Sequence, residues 1–166
     1  WIDQLCRLVT TAGVSLPVFF TGLLLSFVFY FLLGWAPSPL GRIDPYVSAP
    51  ATVTGFYLID SILAGDGAAF VSSARQLILP ALTLALFVMA PVARMTRASM
   101  LGVLSADFVR TARAMGLSRM RVLYGYAFQN ALLPVLTTIG MVFSFMLGAN
   151  VLVEKVFAWP GIGSFA

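Results

Sequence analysis

Three long apolar runs, none carrying a charged side chain, dominate the chain: about Val14 to Trp35, about Leu77 to Ala93, and about Ala131 to Val153. Crossing a hydrocarbon core of about 30 Å takes roughly 20 apolar residues at 1.5 Å each. Each run is therefore expected to be a membrane-spanning helix. The second is short, at about 25 Å by the same rise. Arg75 and Arg94 bracket it, and both can lay their stems along the helix with the charge in the headgroups, so this helix is expected to continue past Arg94. Pro17, Pro80 and Pro134 stand near the starts of the runs. A missing N–H matters little there, so they are expected to mark helix N-termini, whereas the late Pro91 is expected to kink the second span.

The two connecting segments differ in charge. Residues 37–76 carry Arg42 and Arg75 against Asp44, Asp60 and Asp66, whereas residues 94–130 carry Arg94, Arg97, Arg110, Arg113, Arg119 and Arg121 against Asp107 alone. The positive-inside rule puts 94–130 in the cytoplasm and 37–76 outside. Three spans then place the N-terminal end, with Arg7, in the cytoplasm, and Glu154 with the C-terminal end outside. The outer segment is rich in turn formers (Pro37, Pro39, Gly41, Pro45, Pro50) before GFYLIDSILAG, where Phe56, Ile59 and Leu63 recur at helical spacing. That reads as a short amphipathic helix lying in the interface, or as a packing plug over the outer mouth. Trp35, Tyr46, Tyr57 and Trp159 suit an aromatic belt.

Composition narrows the class. In 166 residues, hydrophobic side chains make up 60% and charged ones 10%, against about 45–50% and about 25% in soluble domains. This excludes a soluble enzyme, a disordered tail and a disulfide-stapled secreted module. There is no histidine, and Cys6 is the only cysteine, so neither an intrachain disulfide nor a His/Cys metal cluster can form; no cofactor is expected. The chain opens on Trp1 instead of Met and is expected to be an internal piece of a longer protein. The spans hold no ionisable group, which argues against proton relays, ion coupling and intramembrane proteolysis. Gly140, Ser144 and Gly148 form a small-residue stripe in the third span, and Gly22 and Ser26 a shorter one in the first, suited to close helix contact. Thr21, Thr137, Thr138 and Asn150 either pack or face a wet pathway.

The cytoplasmic segment SADFVRTARAMGLSRMRVLYGYAFQNALLP (105–134) is the most informative. Asp107 suits an N-cap and Gly116 a C′ position for a helix over about 108–115, and Ser118 can cap a second helix running into the third span. Phe108, Ala112 and Met115 share one face, expected to pack on the chain's own helices, and Arg110 and Arg113 another. Three readings fit: a DNA-binding helix–turn–helix, opposed by the direct continuation of its second helix into a membrane span; arginines that only set topology and touch headgroups; or a docking helix for a soluble cytoplasmic partner, which accounts for both the charge and the cap–helix–glycine–cap layout.

DFVRTARAMGLS with NALLP downstream resembles the cytoplasmic "EAA" loop of ABC-transporter permeases of the dipeptide/oligopeptide/nickel import family. SLPVFFTGLLLSFVFYFLLGW, TVTGFYLIDSILAGD, LILPALTLAL, ARMTRASMLGVL and VLVEKVFAWPGIG look like that family's blocks in the same order. The resemblance implies a partial type I ABC-importer transmembrane domain over 1–166, with a cytoplasmic coupling segment at 94–130 and an extracytoplasmic segment at 37–76. These three spans would be helices three to five of six. It further implies that Asp107, Arg110, Thr111, Ala112, Arg113, Ala114 and Gly116 form the coupling surface. Two departures stand out: Arg110-Thr111-Ala112 occupies the places of Glu-Ala-Ala, so no acidic residue takes a coupling role, and the Gly116 to Leu133-Pro134 spacing is the longer peptide-family version. By resemblance the chain is a non-enzymatic permease subunit in a bacterial inner membrane, importing peptides or a related solute such as nickel. Its implied partners are ATP-binding ABC subunits that carry the hydrolysis, a second permease, an extracytoplasmic solute-binding protein and membrane lipid, with no nucleic acid. A non-transporting membrane scaffold that docks a cytoplasmic protein is the alternative.

Overall fold

A computed structural model describes residues 16–164 together with Trp1 and Gln4. Cys6, Arg7 and Val14, which bear on the redox, topology and first-span expectations, lie outside the described residues. Every regular element among the described residues is helical. They are α1 (Val18–Leu32, π-helical from Ser26), α2 (Tyr57–Ala64), α3 (Gly67–Leu104), α4 (Asp107–Ala114) and α5 (Arg121–Val156, π-helical over Arg121–Phe128), with a 3₁₀ turn at Ile162–Ser164. The helices α3 and α5, of 38 and 36 residues, are long and apolar enough to cross a membrane, and α1 is a shorter apolar helix.

The prolines correct part of the sequence reading. Pro17 does stand at the N-cap of α1. Pro80, Pro91 and Pro134, however, lie inside α3 and α5, so neither Pro80 nor Pro134 marks a helix start. The start of α3 is set upstream instead. Gly65, at φ 68°, ends α2, and the Asp66 N–H reaches back to the Ser61 carbonyl at 3.0 Å. Asp66 then accepts the Ala69 N–H at 3.0 Å, an N-cap eleven residues before the apolar run begins at about Leu77. Interior prolines persist in membrane helices where side-chain hydroxyls and local π turns accommodate the backbone. In α5, Thr137 and Thr138 donate to the carbonyls of Leu133 and Pro134 at 3.1 and 2.9 Å, downstream of the π-helical segment. At its other end α3 runs on past Arg94 to Leu104, as the snorkelling arginine implied.

The chain divides into two units. One comprises 16–86 and 146–164 of the described residues, and is braced by polar groups. Arg42 donates to the carbonyls of Pro160 at 2.6 Å and Gly55 at 3.3 Å, and lies 5.4 Å from the Tyr57 ring centroid. The Gly41 N–H bonds the Phe157 carbonyl at 3.0 Å. Residues 41–57 are thus tied to the stretch that follows α5. Glu154, buried near the end of α5, accepts from the Asn150 amide and from the Gly163 N–H at 2.7 Å. A Cβ on Gly161 would strike that carboxylate, so the PGIG turn needs glycine to fold back over it. Gly22 allows a further close approach: a Cβ there would meet Phe157 at 3.2 Å and Thr83 and Val156 at 3.4 Å.

Within the same unit α2 packs by its polar side. Asp60 and Ser61 are fully buried, whereas Phe56, Ile59, Ile62 and Leu63 are exposed. The apolar side is therefore left outward, open to a membrane interface or to a further helix over the outer mouth alike. Asp60 closes the preceding loop: one oxygen accepts from the Thr54 N–H and hydroxyl, both at 2.7 Å, and the other from the Gly55 N–H at 3.0 Å. Burial pulls the Asp60 carboxyl upward, but the hydrogen bonds from Thr54, Gly55 and Val53 outweigh it and hold it below the ordinary 3.8.

The second unit, Phe87–Phe145, combines the later part of α3 with α4 and the earlier part of α5. Gly140 has open space where a Cβ would stand, as does Gly148 in the first unit, so among the described residues neither glycine is packed closely against another helix.

Two outcomes follow. A carboxyl depressed in the folded state binds fewer protons than in the unfolded chain, so its stabilisation is present above the unfolded value near 3.8 and is lost as pH falls through the lower folded value. Asp60→Asn should therefore lower the thermal midpoint in detergent at pH 6, and should flatten its fall between pH 5 and pH 2 relative to wild type. Gly22→Val should overpack the contact with Phe157 and Val156 and destabilise by about 1–3 kcal/mol, read by the same melting assay.

Candidate functional site

The arginine-rich segment folds as a short helix held on two long ones. After Leu104 the chain has only Ser105 and Ala106 in which to turn out of α3. The Ala106 N–H bonds the Val103 carbonyl at 3.0 Å, and the extended backbone of Ala106 (ψ 150°) starts a new direction. Its carbonyl then accepts from Val109 and Arg110 at 3.1 and 3.2 Å. Ala106 is thus the N-cap, and Asp107, expected there, is the first helical residue, because the two-residue turn places the break one position earlier. The Asp107 carboxylate in the first turn still favours the helix dipole. It meets Arg110 at 3.4 Å with both side chains largely exposed, a pair worth under about 1 kcal/mol.

The exit follows the expected glycine closure. Gly116 adopts φ 75°. Its N–H bonds the Arg113 carbonyl at 3.0 Å, and the Leu117 N–H reaches back to Ala112 at 3.3 Å, which brings Leu117 against the helix's underside. The Ser118 carbonyl accepts the Val122 N–H at 3.0 Å, opening the next helix as a capping residue does.

The buried face of α4 differs from the expected one. Val109 and Ala112 are fully buried and pack with Val122 of α5, surrounded by Val103, Leu104 and Leu117. Phe108 and Met115, assigned to that face from the sequence, are 43% and 66% exposed. Helical geometry permitted either stripe, since Ala112 belongs to both. A short helix crossing close to α5 needs small side chains beneath it, and Val109 with Ala112 meets that need. The displaced Phe108 and Met115 stand outside with the charges.

Of the seven residues the resemblance points to, Asp107, Arg110, Thr111, Arg113 and Ala114 are exposed on α4, Gly116 is exposed in its exit turn, and Ala112 alone is buried. Arg113 also borders a groove completed by Arg119 and apolar side chains. The suggested pathway residues are not gathered in this way. Thr21 and Asn150 belong to one unit, Thr137 and Thr138 to the other. All four polar groups bond within their own helices or caps: Thr21 to Pro17 at 3.4 Å, Thr137 and Thr138 as above, and Asn150 to Glu154. Among the described residues no group of three metal-ligating side chains comes together. The sequence reading missed Val109 as the anchor of α4 and Glu154 as a brace. The three-residue spacing of Val109 and Ala112 was available as a signal; the fold-back of Gly163 onto Glu154 was not.

A family model described as the binding-protein-dependent transport system inner membrane component matches residues 1–166. The chain is 44% identical over 165 residues to the probable D,D-dipeptide transport system permease protein of Escherichia coli (strain K12), covering 99% of this chain and 48% of that protein. It is 48% identical over 158 residues to the di/tripeptide transport system permease protein of Pseudomonas aeruginosa (strain UCBPP-PA14), covering 95% and 46%. To the glutathione transport system permease protein of Escherichia coli O1:K1 / APEC it is 39% identical over 163 residues, covering 98% and 44%. The chain spans about half the length of the curated relatives it matches.

The local fold gives a direct test. Gly116→Ala places a Cβ in the left-handed region and should destabilise the α4 exit by about 1–2 kcal/mol, and Val109→Ala should remove about 2 kcal/mol of burial. Both should speed hydrogen exchange across residues 105–120. Gly102→Ala, in a helix with open space around it, should leave exchange there unchanged.

Proposed function

The chain belongs to the family of binding-protein-dependent transport system inner-membrane components, and we propose that it forms part of the permease subunit of an ATP-driven importer of short peptides. The names of its relatives favour di- and tripeptide-sized solutes over nickel. The single observation that carries the reading is α4: an eight-residue helix, fixed by Val109 and Ala112 between two long apolar helices, that leaves both apolar and charged side chains uncovered. Phe108 and Met115, left exposed on a helix that also carries the exposed Arg110 and Arg113, make a surface suited to a protein, since large apolar side chains and arginines are what interface anchors are made of. Lipid headgroups would ask only for the charge.

In this reading residues 94–130 lie in the cytoplasm, where the exposed side of α4, namely Asp107, Arg110, Thr111, Ala114 and the Gly116 turn, seats on a separate ATP-binding subunit, with Arg113 at its margin. Ala112 acts from beneath by fixing the helix's height on α5. Residues 37–76 and the C-terminal end lie outside, and the N-terminal end inside, as the charge distribution favours. A second permease subunit completes the pathway, and an extracytoplasmic binding protein delivers solute. Nucleotide-driven closure of the ATPases moves α4, and with it the long helices it rests on. Transport is then a shift between inward- and outward-open states, biased by whichever state each partner binds better.

Phe108→Ala combined with Met115→Ala should weaken ATPase binding to the full transporter in detergent by 10-fold or more, as should Arg110→Glu. Solute-stimulated ATP hydrolysis and uptake should fall in parallel, while the thermal midpoint stays near wild type. Unchanged ATPase recruitment and uptake in both variants would overturn the assignment.

A further inference from the structure

Beside α4 lies a groove of about 530 Å³ bordered by Leu104, Arg113, Leu117, Arg119, Val122 and Leu123. Its walls come from the end of α3, the last turn of α4, the α4–α5 turn and the first turn of α5. Four of the six lining residues are aliphatic, and the other two are both arginines. Arg110, the neighbouring cation on α4, is matched by Asp107. Among the described residues neither Arg113 nor Arg119 has an ion-pair or hydrogen-bond partner. Two unmatched positive charges thus border an apolar hollow, and such a hollow attracts a group that is anionic at its tip and apolar along its body.

Depth separates the two sources of such a group. The apolar run of α3 ends at Ala93, and Leu104 lies eleven residues further along the same helix, about 16 Å at 1.5 Å per residue. Leu123 lies eight residues before the apolar run of α5 begins at Ala131, up to about 12 Å by the same rise. Headgroups extend only about 5–8 Å beyond the hydrocarbon on each side. The groove is therefore beyond the reach of a phospholipid phosphate and within reach of a soluble protein.

We propose that this groove receives an acidic side chain, a Glu or Asp borne on an apolar stretch of the ATP-binding subunit, with its carboxylate between Arg113 and Arg119. The inference rests on the reading of α4 as the ATPase-docking helix and adds a second, oppositely directed contact to it. The outer side of α4 enters the partner, and a residue of the partner enters the hollow at its side. Arg119, Val122 and Leu123 thereby join the interface, although they lie outside the helix that first suggested it. The contact also gives direction to coupling. A partner held on the outer side of α4 and in the lateral hollow grips the helix from two directions, so that sideways as well as outward movement of the partner is passed to it.

The test uses the complete transporter in lipid nanodiscs and titrates its ATP-binding subunits onto the permease pair. Arg113→Gln combined with Arg119→Gln should weaken binding by 10-fold or more and lessen its salt dependence, with hydrogen exchange over 105–120 unchanged. In the Arg113→Glu, Arg119→Glu permease, one acidic-to-lysine change on the ATPase's permease-facing surface should restore binding at least 5-fold. Binding by the glutamine double variant within twofold of wild type would overturn the groove contact. If Arg110→Glu and the Phe108, Met115 alanine pair still abolished binding in that case, docking on α4 would stand and the groove proposal alone would fall. Loss of bound phosphatidylglycerol in native mass spectra of the glutamine double variant, with ATPase affinity intact, would assign the arginines to lipid and likewise overturn it.

Discussion

The contact of Val109 and Ala112 with Val122 governs which side of α4 is covered and which is left open. A helix of eight residues has too few internal hydrogen bonds to be stable alone in water. It persists because two small apolar side chains let it lie close to α5, and because turns at Ala106 and Gly116 let the chain leave α3 and enter α5. Small residues beneath have a consequence above: the bulky apolar side chains Phe108 and Met115 have no room underneath and are pushed to the surface. The same packing that holds the helix produces the surface on which its proposed role depends.

The other unit solves a different problem. Residues 37–57 contain many turn formers and little that can be buried, so hydrogen bonds hold the loops. Asp60 gathers the N–H groups before α2, Arg42 ties that loop to the carbonyl of Pro160, and Glu154 folds the PGIG turn back onto α5. The braces join positions from 5 to 118 residues apart, and each sets a carboxyl or guanidinium group against backbone groups. An apolar face can then be left outward on α2 without unfolding the segment.

Much of this was legible along the chain. Apolar runs located the two helices long enough to cross a membrane and the shorter apolar α1, since burial in hydrocarbon demands length and composition that few other folds need. Gly116 announced its turn, because a left-handed residue after a helix is nearly always glycine. The prolines misled at positions 80 and 134: an N-terminal position and a tolerated interior position look alike when upstream polar residues such as Ser72, Ser73 and Gln76 hide the helix's true beginning. Asp66 was a readable cap ahead of them. Phe108 and Met115 misled for a related reason, since hydrophobic weight favoured them for burial while clearance favoured Val109.

The sequence by itself determined the solvent this chain lives in, the number of its apolar helices and the place of the arginine-bearing turn, because these follow from local composition and backbone preference. Which side of α4 is buried, which arginines keep a partner, and which carboxylates stop being surface charges and become braces were decided only in three dimensions. Those outcomes depend on distances between side chains remote in the chain, and the clearance between two helices is a property of neither one alone.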